Sequence, residues 1–311
     1  MPRFILHTWL VIASLATVGK TSEESPFAVV LGNAQDAGYP QAACAKDCCK
    51  SVWEKRELRR FATSLAIVDP DSGERWLIDC TPSFPDQLRL LDKLAKPRGN
   101  PGVNGVFLTH AHIGHYAGLI HLGREVIGSK GIPVHVMPRM KTFLEQNGPW
   151  NQLVRLNNIQ LRPLAADTKV ILNPRLRITP FIVPHRDEFS ETVGFLIEGP
   201  RRSMLFIPDI DKWERWSRNI ETYLKQVDIA YLDGTFYADG ELPNRAMSEI
   251  PHPFIAESMK RFSKLPVEER RKIHFIHLNH TNPALRPDGE ARTTIEAADM
   301  KVAEQGSRFR L

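Results

Sequence analysis

The stretch "THAHIGHYAGL" (Thr109–Leu119) places His110, His112 and His115 within six positions, directly behind the apolar run "VNGVFL". Valine and phenylalanine favour an extended strand in that run, so His110 and His112 leave the strand at its end. Residues i and i+2 of an extended backbone point the same way, which lets both imidazoles reach one ion. His115 stands three beyond His112, where "YAGLIHLGREVIG" predicts a helix, and the i, i+3 step keeps it on the same face. A lone histidine more often packs or caps, but three nitrogen donors converging at a strand end suit zinc. Gly114 is the odd member, because it brings no donor to a turn rich in ligands.

Working outward, "FAVVLG" (27–32), "SLAIVDP" (64–70) and "RWLIDCTP" (75–82) read as strands, the last two joined through "DSGE" as a hairpin. "DQLRLLDKLA" (86–95) is apolar at helical spacing, with Pro82 and Pro85 upstream of it. Beyond the histidine stretch, "IPVHVMP", "KVILNPRLRITPFIVPH", "TVGFLIEGPRRSMLFIPD", "VDIAYLDGTF" and "KIHFIHLNH" are strand-like. "MKTFLEQNG", "KWERWSRNIETYLKQV" and "HPFIAESMKRFSKL" are predicted helices. Strands in bunches, separated by helices, predict two mixed sheets packed face to face with helices outside, as one α/β domain over residues 27–311. The polar segment after Pro287 is expected to pack loosely.

The N-terminal "MPRFILHTWLVIASLATVGKTSEES" has Arg3, an apolar run of about 15 residues and then small and polar residues, the layout of a signal peptide over residues 1–19. The run is short of the roughly 20 residues that a membrane-spanning helix needs. A cleaved leader implies a secreted or periplasmic protein; the competing reading is an uncleaved anchor or a buried first strand. No later segment is long and apolar enough to span a membrane.

With 42% hydrophobic and 25% charged residues, the chain is neither disordered nor fibrous. Its net charge of +5 is scattered without a basic stripe, so nucleic acid is not an expected partner and a small-molecule substrate is.

"HAHIGH" after a strand resembles the HxHxDH signature of the metallo-β-lactamase superfamily. Three later strand ends fall in the order that the superfamily uses: "FIVPH" ends in His185, "MLFIPD" in Asp209 and "IHFIH" in His277. More locally, "LGNAQDAGYPQAAC", "LIDCTP", "VPHRDEFSETVGFLI", "FIPDIDKW", "VDIAYLDGTFY" and "IHLNHTNP" resemble the branch containing the pyrroloquinoline quinone biosynthesis protein B, over nearly all of the chain behind the leader. The resemblance implies a four-layer αβ/βα sandwich. It implies that His110, His112 and His185 hold one metal, that His115 and His277 hold a second, and that Asp209 bridges them. Gly114 departs from the pattern, since the superfamily has an aspartate there that completes the second site. The expectation is a second site left open or vacant.

Zinc, one ion or two, is the expected cofactor, with iron or manganese as alternatives. Such an ion lowers the pKa of its bound water to about 7, making hydroxide available to attack an ester, amide or phosphoester-type centre. Asp209 and His280 are the expected catalytic residues, with Asp211, His252 and Asn282 as supporting groups nearby. Asp233 and Thr235 in "YLDGTF" read as turn residues. Cys44, Cys48 and Cys49 stand in a C-x3-C-C cluster and Cys80 stands apart. The resemblance implies a structural zinc at the cluster, while disulfides and free thiols are the other readings. Besides a hydrolase, the sequence admits an iron-dependent oxygenase or oxidase of cofactor biosynthesis. It also admits a non-catalytic metal-binding protein in which Gly114 marks a lost site.

Overall fold

The computed structural model describes Met1 and residues 24–99, 101–243 and 245–311. Apart from Met1, the leader read at 1–19 lies outside the described residues.

Two seven-stranded sheets form the centre of the molecule. In chain order the strands are β1 (Phe27–Gly32), β2 (Ser64–Asp69), β3 (Glu74–Ile78), β4 (Gly105–Phe107), β5 (Ile132–Val136), β6 (Ile159–Pro163), β7 (Val170–Asn173), β8 (Leu176–Ile182), β9 (Val193–Glu198), β10 (Ser203–Ile207), β11 (Ile229–Asp233), β12 (Ile273–Ile276), β13 (Lys301–Val302) and β14 (Arg308–Arg310). The first sheet runs β14-β1-β2-β3-β4-β5-β6 and the second β13-β12-β11-β10-β9-β8-β7. Each sheet is antiparallel on one side and parallel on the other, from β3 to β6 in the first and from β10 to β13 in the second. Parallel neighbours need crossovers, and the crossover helices cover the outer faces.

Alternation along the strands makes the layers. Ala28 and Val30 of β1 join Ile67, Phe107, Phe195 and Phe206 in the core between the sheets. Val29 and Leu31 face outward, against Phe84 and Leu91 of the helix Phe84–Leu94. Both faces are buried, which is why "FAVVLG" carries no polar alternation. The second sheet repeats the scheme: Leu205 and Phe275 face outward against Phe262 of the helix Ile255–Phe262 and Ile295 of the helix Glu290–Ala297. The result is the four-layer αβ/βα sandwich.

Three local expectations fail for physical reasons. The helix after the histidines is one turn, Ile113–Tyr116, followed by a 3-10 segment, Ala117–Leu122. There the chain runs against the end of β3: Gly118 N donates to Cys80 O at 2.8 Å, and a Cβ on Gly118 would lie 2.1 Å from Thr81 O. Residues 212–227 break into a turn, Trp213–Arg215, and a short helix, Ile220–Leu224. The Asn219 side chain starts the latter by accepting from Glu221 N and Thr222 N. The C-terminal segment is not loose. It forms Glu290–Ala297, β13 and β14, and ends on Leu311, which is 1% exposed. Among the described residues, no helix is long and apolar enough to cross a membrane.

Candidate metal centre

The strand ends of both sheets open onto one site, as carboxyl ends of parallel strands do in layered α/β folds. His110 and His112 follow β4, His185 follows β8, Asp209 follows β10, Asp233 ends β11 and His277 follows β12. Asp36 follows β1 and Asp79 follows β3.

Two groups of donors face each other there. In the first, His110, His112, His185 and Asp209 bring one atom each to within 4.8 Å of one another. His110 Nε2 stands 2.8 Å from His112 Nδ1, and His185 Nε2 stands 3.3 Å from that same nitrogen. Asp209 Oδ2 lies 3.3 Å from His110 Nε2 and 3.2 Å from His185 Nε2. The second group is Asp36, His115 and His277. Asp36 Oδ1 lies 3.3 Å from His115 Nε2 and 3.7 Å from His277 Nε2. Asp209 Oδ2 reaches to 3.9 Å from His115 Nε2, so it stands between the groups.

Each of these imidazoles uses its other nitrogen outward, which fixes the ring and leaves one lone pair facing inward. His110 Nδ1 lies 3.0 Å from Thr109 Oγ1, and that hydroxyl donates to Asp79. His115 Nδ1 donates to Asp79 Oδ2 at 2.7 Å. His112 Nε2 donates to Glu188 Oε2 at 3.1 Å, and His185 Nδ1 donates to Asp211 Oδ1 at 3.3 Å. His277 Nδ1 donates to Thr235 Oγ1 at 2.9 Å, and Thr235 donates to Asp233 Oδ1 at 2.7 Å. Asp79 and His277 both hold positive φ, 65° and 67°, a conformation that non-glycine residues adopt rarely and mainly where surroundings enforce it.

The inward atoms are buried and unsatisfied. Asp36 Oδ1, His115 Nε2, His277 Nε2 and Asp209 Oδ1 have no hydrogen-bond partner among the described residues. Buried polar atoms without partners are costly unless an ion or water meets them. The electrostatics agree. Burial alone would raise the carboxyls of Asp36 and Asp209, but the surrounding histidines hold both well below the usual range. Burial likewise opposes charge on His115, yet Asp79 and Asp36 hold its pKa well above the ordinary value. The carboxylates call for positive charge between them, and a divalent cation supplies it.

His252 is the remaining histidine at the centre. Its Nδ1 donates to Asp233 Oδ2 at 2.8 Å and passes Asp209 Oδ1 at 3.2 Å without hydrogen-bond alignment. Asp233 and Thr235, read from sequence as turn residues, are the buried groups that orient His252 and His277. The Asp-Gly pair conceals them, because its turn propensity is real but does not say where the carboxylate points. Asn282 braces that same loop, donating to Gly234 O and Thr235 O.

His280 is not among the histidine donors. It gathers with Cys44, Cys48 and Cys49 into a separate group, its members within 4.8 Å of one another. Cys80 does not join them and lies buried in the core outside the first sheet. The four cysteines are unpaired, with Sγ atoms of Cys44 and Cys48 3.8 Å apart and those of Cys48 and Cys49 4.0 Å apart. A disulfide needs about 2.05 Å, whereas ligands about 2.3 Å from a tetrahedral zinc stand about 3.8 Å apart. The spacing C-x3-C-C hid this arrangement, since its fourth member comes from the far end of the chain.

A cavity of about 400 Å³ borders the centre, lined by Asp36, Gln41, Phe236, Arg245, Asn279 and His280 among others.

A family model described as a beta-lactamase superfamily domain matches residues 74–277. Among curated proteins, the chain is similar to coenzyme PQQ synthesis protein B of Methylobacterium sp. (strain 4-46), 28% identical over 305 residues, covering 90% of this chain and 98% of that protein. It is similar to the protein of that description from Xanthomonas euvesicatoria pv. vesicatoria, 29% identical over 306 residues, covering 91% and 99%. Among solved structures, Zn(2+)-bound PqqB from Methylobacterium extorquens superposes with a TM-score of 0.78 at 23% identity, covering 92% of this chain and 100% of that one. A diphosphatase from the PhnP family gives a TM-score of 0.64 at 19% identity, covering 93% and 98%.

Proposed function

The chain belongs to the beta-lactamase superfamily, and from that membership we propose that it is a metal-dependent hydrolase. Its substrate would be a small molecule with an ester, amide or phosphoester-type bond. The observation that carries the reading is the convergence of buried, partnerless donor atoms from Asp36, His115, His277 and Asp209 beside the His110, His112 and His185 triad.

Imidazole and carboxylate donors with outward hydrogen bonds suit zinc, and the similar PqqB from Methylobacterium extorquens was solved with Zn(2+). His110, His112 and His185 would hold one ion, His115, His277 and Asp36 would face a second, and Asp209 would lie between them. When bound, the metal supplies Lewis acidity and a water of pKa about 7. Asp209 would accept a hydrogen bond from the attacking water and aim it. Asp233 holds the His252 ring beside Asp209, where the imidazole would give a proton to the departing group and recover one released by the attacking water. Phe236 and Arg245 on the neighbouring cavity wall give a substrate an apolar surface and a partner for an anionic group. Cys44, Cys48, Cys49 and His280 would hold a structural zinc that ties the Asp36 loop to the His277 loop.

The test is metal analysis of the purified chain together with turnover of chromogenic carboxylic and phosphoric esters. Zinc with water-dependent cleavage that chelation abolishes supports the reading. The curated relatives are named for coenzyme PQQ synthesis, and a role in cofactor synthesis gives a second reading, an iron-dependent oxygenase or oxidase. Iron with dioxygen consumption and no ester cleavage would replace hydrolysis by oxidation.

A further inference from the structure

Gly114 occupies the position where HxHxDH carries a carboxylate, and the structure gives a reason for the glycine that is not conformational. Its φ is outside the left-handed region that favours glycine. What the site lacks is space: a Cβ at 114 would fall 2.2 Å from Asp36 Oδ1, 2.4 Å from Asp36 Cα and 2.6 Å from Asp36 Cβ. The volume that a side chain at 114 needs is already filled by the aspartate of the β1 loop.

Asp36 is anchored there. Gln35 N donates to Leu278 O at 2.8 Å, and Leu278 N donates to Asn33 O at 2.8 Å, so the Asp36 loop is pinned to the backbone just after His277. Gly38 N closes a turn on Gln35 O at 2.7 Å, Tyr39 and Arg60 exchange backbone hydrogen bonds, and Tyr39 Oη donates to Cys48 O at 2.6 Å. These bonds aim Asp36 Oδ1 at His115 Nε2 and His277 Nε2, both buried and partnerless, with the other nitrogen of each ring tied to Asp79 or Thr235.

We propose that Asp36 supplies, from a different loop, the metal-binding carboxylate that residue 114 lacks, so that Asp36, His115, His277 and the bridging Asp209 form a complete second divalent-cation site. The exchange is reciprocal: glycine at 114 admits Asp36, and Asp36 compensates for the glycine. This rests on reading the centre as a metal site, and it makes the protein a two-metal enzyme despite its altered motif.

The experiment is zinc stoichiometry and competitive zinc affinity of the full chain, with folding checked by circular dichroism. Wild type is compared with Asp36→Asn, Gly114→Asp, His110→Ala and the double variant Asp36→Gly with Gly114→Asp. Asp36→Asn keeps the shape and is expected to bind one equivalent fewer than wild type, while retaining the equivalent that His110→Ala loses. Gly114→Asp alone is expected to lose an equivalent or fold poorly through the clash, and the double variant to regain the full complement. Undiminished stoichiometry and affinity in Asp36→Asn would overturn the transposition and leave the metal centre standing. A wild type with no zinc outside the cysteine group, judged by a Cys48→Ser comparison, would overturn both. If the double variant does not fold, Asp36→Asn beside Asp36→Glu decides, since the restored carboxylate is expected to recover the lost equivalent.

Discussion

The two donor groups each gather their ligand atoms within 4.8 Å of one another but are written differently in the chain. His110, His112, His185 and Asp209 lie at the ends of apolar strands, where position in the sequence and position in space coincide. Asp36, His115 and His277 need the loop after β1 of one sheet to meet a strand end of the other, held by the bonds between Asn33, Gln35 and Leu278. Both groups draw donors from both sheets, so neither is complete before the two sheets have packed. The second group needs in addition the loop after β1 to be seated against the residues that follow His277. The second group is accordingly the more sensitive to changes in surrounding structure.

That contrast can be broken most severely at the first group. His110→Ala is expected to remove its ion and reduce hydrolysis to background, read by metal content and initial rates, with the fold intact by circular dichroism. His252→Asn comes next: it leaves both donor groups in place but removes the proposed proton carrier, with kcat expected to fall about 10²–10⁴-fold and KM to change little. Unchanged kcat would show that His252 only braces the site.

Positioning residues sharpen the comparison further. Asp79→Asn disturbs His115 through its Nδ1 partner and is expected to weaken the second ion by about 10–100-fold, leaving the His112–His185 side of the centre unchanged. Thr235→Val is expected to do the same through His277. Loss of the first ion instead, in competitive chelation, would show that the two groups are not separable.

The smallest effect lies outside the centre and separates acid loss of metal from acid unfolding. His135 and His274 are held down to about 4, first by burial and then by the charges of Arg162 and Lys301. Their folded pKa lies below the ordinary value of about 6.5, so their contribution to stability is full above about pH 6.5 and is lost as pH falls toward 4. Urea denaturation at pH 7 and pH 5 is expected to show this loss, and His274→Asn to flatten it without altering metal content at pH 7. An unaltered acid limb in His274→Asn would assign acid sensitivity to the metal centre instead.

Much of the fold was legible because both faces of the central strands are buried, and "FAVVLG" or "SMLFI" has few other ways to hide its side chains. The helix after His115 was not, because Gly118 permits a close approach to the end of β3 that no periodicity announces. Asp233 and Thr235 were hidden by a turn signal that was correct but incomplete. His280 was placed with the catalytic residues because it follows His277 closely, but a chain turning at Asn279 sends neighbouring side chains to different sites.

The sequence by itself determined the strand-end placement of His110 and His112 and the bunched strands of an α/β architecture, which follow from local periodicity and residue type. His185, Asp209 and His277 stood out through the resemblance that their order at later strand ends carries. Only the tertiary structure decided that Asp36 fills the space beside Gly114 and that His280, not Cys80, completes the thiol group. Periodicity specifies the direction in which a side chain leaves its own strand. Which distant loop occupies the volume that a missing side chain vacates is settled when the two sheets close on each other.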